Sequence, residues 1–110
     1  MEESSNLYIG TYTQPIRFGT GSVLNGKGQG VYRYRLDETT GRLEYIGVSQ
    51  GITNPSYLVV SPSKRNLYVV NELKLFEGQP TGTISAFSLD SESGDLIFLN
   101  RRPTTGTDPC

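Results

Sequence analysis

Two halves of this 110-residue chain carry the same series of short motifs in the same order. Asn6-Leu7-Tyr8-Ile9-Gly10 returns as Asn66-Leu67-Tyr68-Val69-Val70. Tyr34-Arg35-Leu36-Asp37 returns as Phe87-Ser88-Leu89-Asp90, and Thr40-Gly41-Arg42-Leu43 as Ser93-Gly94-Asp95-Leu96. The first match is offset by 60 residues and the later ones by 53, so the Gly-rich stretch after Thr13 carries about seven residues more than the loop after Glu72. Thr53-Asn54-Pro55 is echoed by Thr107-Asp108-Pro109, where the unit begins again. A repeat of roughly 50 residues restricts the fold to stacked, self-similar units, because one such unit cannot bury its apolar faces alone.

Each repeated motif is a short run of β-branched and aromatic residues suited to a strand. The pattern predicts strands at Leu7–Tyr12, Gly30–Leu36, Leu43–Val48, Ser56–Val60, Leu67–Asn71, Thr83–Leu89 and Leu96–Asn100, and no helix. Between them lie turn clusters such as Asp37-Glu38-Thr39-Thr40-Gly41, Ser61-Pro62-Ser63-Lys64-Arg65 and Asp90-Ser91-Glu92-Ser93-Gly94, whose residues tolerate tight turns and left-handed backbone. Four antiparallel strands per repeat match the blade of a β-propeller better than a sandwich, which needs no repeat. The expected fold is thus all-β, with the whole chain, residues 1–110, the N-terminal part of a single propeller domain. Residues 56–100 form a second blade with strands a, b, c and d, residues 7–48 supply strands b, c and d of the first, and residues 107–110 start a third. Strand a of the first blade is then expected from the far end of a longer chain, closing the ring and removing an open edge.

Composition narrows the function. Ten Lys and Arg against eleven Asp and Glu leave a net charge of −1, with no basic surplus to attract nucleic acid or anionic lipid. With 35% hydrophobic and 19% charged residues the chain reads as globular. The polar, acidic start from Met1 to Asn6 lacks the features of a secretory leader, which sets a cytoplasmic expectation. Histidine and tryptophan are absent and Cys110 is the one cysteine, so this segment offers no Ser-His-Asp or Cys-His triad and none of the usual zinc sites.

The segments YIGTYT (Tyr8–Thr13), NPSYLVVSPSKRNLYVVNE (Asn54–Glu72), GTISAFSLD (Gly82–Asp90) and TDPC (Thr107–Cys110) resemble the opening of the lactonase family. Its members are seven-bladed propellers that include bacterial 6-phosphogluconolactonases and fungal carboxy-muconate cyclases. The resemblance runs from Asn6 to the end and covers about two sevenths of such a ring. It implies hydrolysis of 6-phosphogluconolactone to 6-phosphogluconate by the full-length protein, without metal or organic cofactor. The family's proposed acid and base residues lie mostly in later blades, so no catalytic residue is assigned within this chain, and the two blades alone are expected to be inactive. The remaining blades, or self-association, are needed to close the ring. Two other readings stay open: a carboxy-muconate cyclase-like enzyme that forms a lactone, and a non-catalytic binding propeller.

In a four-stranded meander alternate connections emerge on one side. The b to c loops (Gln14–Gln29 and Leu73–Gly82) therefore share a face with the d to a loops (Gln50–Thr53 and Arg101–Thr107), and these long loops mark the ligand face. Tyr12, Arg17, Lys27, Asn54, Asn71, Glu72 and Asp108 are the polar groups in or beside them. For a phosphorylated lactone, Arg17 or Lys27 is expected to hold the phosphate. Glu72, at the end of an apolar strand, must face either the channel or a hydrogen-bond partner, and is the candidate to orient water or act as general base. Tyr12 and Asn54 complete the candidate substrate-binding set, although Asn54 and Asp108 both precede prolines and are better suited to bracing turns.

Two look-alikes carry less. Gly21-Ser22-Val23-Leu24-Asn25-Gly26-Lys27 fits a phosphate-binding loop, but Gly28 stands where Ser or Thr must bind magnesium, and the next element is a strand rather than a helix. The stretch reads as a flexible inserted loop. The clusters at Asp37–Gly41 and Asp90–Gly94 pair acidic groups with glycine but lack the length and terminal Glu of a calcium loop, and read as c to d turns.

Overall fold

A computed structural model describes residues 4–110; residues 1–3 of the polar start lie outside the described residues. The described residues form nine strands and no helix: β1 (Ser4–Ile9), β2 (Pro15–Arg17), β3 (Val23–Asn25), β4 (Val31–Asp37), β5 (Leu43–Ser49), β6 (Pro55–Val60), β7 (Asn66–Asn71), β8 (Thr83–Leu89) and β9 (Leu96–Pro103). They make an antiparallel three-stranded sheet in the order β1-β4-β5, a four-stranded meander β6-β7-β8-β9, and a separate hairpin β2-β3. The two large sheets are successive blades of a propeller.

The repeat extends to irregularities. The β4/β5 ladder shifts register between Arg33 and Tyr34, and the β8/β9 ladder shifts between Ala86 and Phe87, the corresponding place 53 residues on. The c to d turns match as well. Asp37 Oδ1 accepts the amides of Thr39 and Thr40 at 2.9 and 3.2 Å, and Asp90 Oδ1 accepts those of Glu92 and Ser93 at 2.8 and 2.9 Å. Each carboxylate closes its turn by replacing a backbone acceptor.

The core lies between the two blades. Leu67, Val69 and Phe87 on one face of the second blade pack with Val31 of the first and with Ile52 from the connection between them. Alternation along each strand places these apolar residues on one face. Towards the turn end Tyr8 donates from its hydroxyl to the carbonyl of Gly94 at 2.8 Å, and Arg33 pairs with Asp95. Gly94 sits at φ 76°, and a Cβ there would come within 2.8 Å of Asn6 Nδ2 and 3.0 Å of the Tyr8 hydroxyl, so glycine serves both the turn and the approach of the blades.

Three sequence expectations need correction. The Gly-rich stretch after Thr13 is a docked hairpin, not a flexible loop: β2 pairs with β3, and the amides of Gly26 and Gly28 donate back to the carbonyls of Gln14 and Tyr12 at 3.3 and 2.9 Å. Its glycines mask short strands whose partner lies only five residues away. The first strand ends at Ile9 rather than Tyr12, because from Gly10 the chain leaves the ladder to press on the second blade; a Cβ on Gly10 would lie 1.9 Å from the carbonyl oxygen of Pro55. The last strand runs past Asn100 to Pro103 instead of giving way to a loop at Arg101, since Arg101–Pro103 continue to pair with Thr83–Ser85.

Candidate functional site

The loop face is organised around Asn54. Held at φ 41° in the connection between blades, it accepts at Oδ1 from the amides of Thr13 (2.9 Å) and Gln14 (3.1 Å) and from the Thr13 hydroxyl (3.3 Å). Its Nδ2 donates to the carbonyl of Glu72 at 3.1 Å, and the Glu72 amide donates back to the Asn54 carbonyl at 3.0 Å. One buried side chain thus fixes the exits of β1 and β7 side by side. At the end of β7, Asn71 accepts the hydroxyls of Thr83 (2.8 Å) and Ser85 (2.7 Å) and donates to the carbonyl of Thr53 at 2.7 Å. Asn71, Thr83 and Ser85 are fully buried, so this network takes up their hydrogen-bonding groups.

On this frame stands Glu72, 7% exposed. Its Oε1 accepts the Tyr12 hydroxyl at 3.0 Å, and among the described residues no group donates to Oε2. The Tyr12 ring meets Phe18 of the β2-β3 hairpin edge-on, with centroids 6.1 Å apart. Burial, and then the hydrogen bond to Glu72, raise the Tyr12 phenol above its ordinary pKa, so it stays protonated and remains a donor.

Glu72 opens into a cleft of about 260 Å³ between the hairpin and the loop after β7, continuous in its lining with a second hollow of about 230 Å³. Arg17, Lys74 and Asp108 line both. Lys74 Nζ lies 2.7 Å from Asp108 Oδ2, and Arg17 donates to the carbonyl of Gly21 at 2.9 Å, which ties its side chain to the hairpin. Asp108 Oδ1 is buried with no partner among the described residues. The cleft thus combines two carboxylates, Glu72 and Asp108, with two cations, of which Lys74 is already paired with Asp108, so that Arg17 is the cation left for an anionic group and the carboxylates are acceptors for hydroxyl groups. A larger hollow of about 470 Å³ opens on the turn face beside Tyr8, but its charged residues Arg35, Lys64 and Glu92 are exposed and none is a buried reactive group.

Of the candidate residues that the sequence points to, Glu72, Arg17 and Asn54 line the cleft and Tyr12 reaches it through Glu72. Asn54 meets it with a side chain already committed to the frame. Lys27 is exposed and does not line either hollow. Lys74 is the residue that sequence reasoning misses. Its position two residues beyond Glu72 in one of the long loops is a signal, but an exposed loop lysine carries no pattern of its own.

Among the described residues no group of three or more His, Cys, Asp or Glu gathers as a metal site. Residues 6–110 match the sequence profile of the family described as lactonase, 7-bladed beta-propeller. The 6-phosphogluconolactonase of Bacillus subtilis (strain 168) is 29% identical over 103 residues, which are 94% of this chain and 25% of that protein. A 6-phosphogluconolactonase of Formosa agariphila is 33% identical over 83 residues, 76% of this chain and 23% of its own length. The chain therefore spans about a quarter of the length of the curated relatives it matches. Among solved structures, a candidate 6-phosphogluconolactonase of Bacteroides uniformis superposes with a TM-score of 0.75 at 34% identity, covering 96% of this chain and 26% of that one. The periplasmic gluconolactonase PpgL of Pseudomonas aeruginosa gives the same TM-score of 0.75 at 30% identity, covering 97% of this chain and 27% of its own. With the repeated blades, the profile match and these superpositions all in agreement, the chain belongs to the lactonase family of seven-bladed β-propellers.

Proposed function

We propose that the complete propeller to which these blades belong hydrolyses 6-phosphogluconolactone to 6-phosphogluconate. The carrying observation is Glu72: a nine-tenths buried carboxylate with one oxygen held by Tyr12, the other without a donor among the described residues, in the lining of a cleft shared with Arg17, Lys74 and Asp108. In this reading Glu72 Oε2 takes a proton from water as the water oxygen bonds to the lactone carbonyl carbon. The ring C–O bond then breaks, and the departing ring oxygen takes up the proton, giving a hydroxy acid with no net change in protons other than ionisation of the new carboxyl. Protonated Tyr12 orients Glu72, and Arg17 binds the phosphate. The names of the relatives support the substrate class.

The reaction would be the second step of the oxidative pentose phosphate route. A cytoplasmic site of action goes with it, since a charged sugar phosphate does not cross a bilayer unaided. The two blades would act with further blades, or with copies of themselves, completing the ring.

The test is sedimentation of the purified chain with a lactone-hydrolysis assay on the same fractions, alongside Glu72→Gln in a ring-complete protein. An active oligomer means that repeated copies rebuild the site, whereas inactive material with an active ring-complete protein means that further blades are required. In that protein Glu72→Gln should lower kcat by about 10²- to 10⁴-fold, the usual contribution of a general base, with KM little changed. A variant at the wild-type rate removes Glu72 from the chemistry.

A further inference from the structure

The groove between the end of β5 and the outer strand β9 lies away from the Glu72 cleft and has both walls within this chain. It is an open hollow of about 340 Å³, at the lower end of the range of small-molecule sites, lined by the buried Ile52 and Phe87 and by Leu96 and the half-exposed Phe98. Phe98 and Arg101 are three residues apart and would face opposite sides of a regular strand. The register shift in the β8/β9 ladder takes up Leu99, so that Phe98 stands opposite Phe87 and Arg101 opposite Ser85, on the same face. The bulge thereby re-aims Arg101 into the groove.

Its guanidinium is then fixed from two sides. Nε donates to the buried Ser85 hydroxyl at 3.0 Å, and the guanidinium carbon lies 5.3 Å from the centroid of the Phe98 ring. Arg101 takes part in no ion pair among the described residues, so the terminal nitrogens keep their charge and their donors for a ligand. The blade does not require a cation here. The first blade has the same bulge and carries Val48 at the corresponding position.

We propose that this groove binds a small apolar carboxylate, with Arg101 as its anion receptor and the Phe98 side of the groove as its apolar bed. A planar, pre-oriented guanidinium matches the geometry of a carboxylate, and the apolar lining adds nothing for a bare inorganic anion.

The test is NMR titration of the isotope-labelled 110-residue chain with 3-phenylpropionate, its neutral counterpart 3-phenylpropan-1-ol, and inorganic phosphate. The acid should shift the Arg101 Nε–H and an Ile52 methyl together, with an affinity at least tenfold above that of the alcohol and of phosphate. In Arg101→Gln the acid should lose most of that preference. Equal binding of acid and alcohol, phosphate binding as well as the acid, an acid preference unchanged in Arg101→Gln, or no shift at these two groups would each overturn the proposal. Should Arg101→Gln fail to fold, the acid, alcohol and phosphate comparison in the wild-type chain decides.

Discussion

Asn71 and Asn54 occupy places where a hydrophobic residue of similar size would leave backbone groups stranded. Asn71 satisfies the Thr53 carbonyl and both the Thr83 and Ser85 hydroxyls in a buried interior. Removing it leaves several buried polar groups unpaired, each costing on the order of 1–3 kcal/mol. Asn71→Ala should therefore lower stability by about 3 kcal/mol, read from the denaturant midpoint, which is a large share of the roughly 5–15 kcal/mol typical of a domain. Asn54 adds left-handed backbone to its hydrogen bonds. Asn54→Gly keeps access to that conformation, so a loss in the denaturant midpoint beyond the roughly 0.5–1 kcal/mol that glycine's added backbone freedom costs reports the hydrogen bonds that hold Thr13, Gln14 and Glu72. The buried environment of Glu72 is legible in part from its place at the end of the Leu67–Asn71 run; its partner Tyr12, 60 residues away, is not.

At the scale of elements, the two c to d turns share one acid-sensitive device. The amides of Thr39 and Thr40, and of Ser93 and Glu92, hold the Asp37 and Asp90 carboxyls below the ordinary Asp pKa. A carboxyl with a depressed folded pKa contributes stability that is fully present above its unfolded value, about 3.9, and is lost as pH falls through the lower folded value. The contribution of these two groups should be full and independent of pH near neutrality and decline below about pH 4; the double variant Asp37→Asn, Asp90→Asn should flatten that decline in pH-dependent thermal melts. The β2-β3 hairpin makes a second expectation. A docked hairpin implies slowed hydrogen exchange at the Gly28 and Phe18 amides, which donate to the carbonyls of Tyr12 and Ser22 at 2.9 Å, where a mobile loop would exchange at the rate of an unstructured chain. The repeat predicts each blade strand because strand and turn chemistry are local. It misses this hairpin because three-residue strands among glycines have almost no periodic signal.

For the whole molecule, equivalent positions in the two blades act as an internal control on burial. Val31 is 1% exposed where the second blade covers it, and its counterpart Ile84 is 38% exposed. On the opposite faces Leu67 and Val69 are both 0% exposed, and their counterparts Leu7 and Ile9 are 37% and 40% exposed. The same type of side chain is thus core or surface depending on whether a blade lies against it. The free faces, Leu7 and Ile9 on one side, Tyr57, Val59, Tyr68 and Ile84 on the other, are the counterparts of faces already joined within the chain. They can therefore meet head to tail, the heterologous geometry that closes rings or extends filaments. The accessible surface of 7264 Å² exceeds the roughly 6,000 Å² expected of a compact monomer of this mass, as two open faces require. Sedimentation should give a mass above 12.1 kDa that rises with concentration, and Val59→Lys with Ile84→Lys should return it towards the monomer. A sharp, cooperative monomeric unfolding transition in the wild-type chain would contradict this.

By itself the sequence determined the blade strands, the turns and the blade as a unit, because alternation and turn residues are local and the same motifs recur 53 to 60 positions on. Only the tertiary structure decided that Tyr12 holds Glu72, that Lys74 and not Lys27 stands beside Arg17, and that Arg101 shares a groove with Phe98. Those pairings depend on how two blades press together and where a ladder takes up an extra residue. Such choices are settled by packing between distant segments, on which local pattern has no purchase.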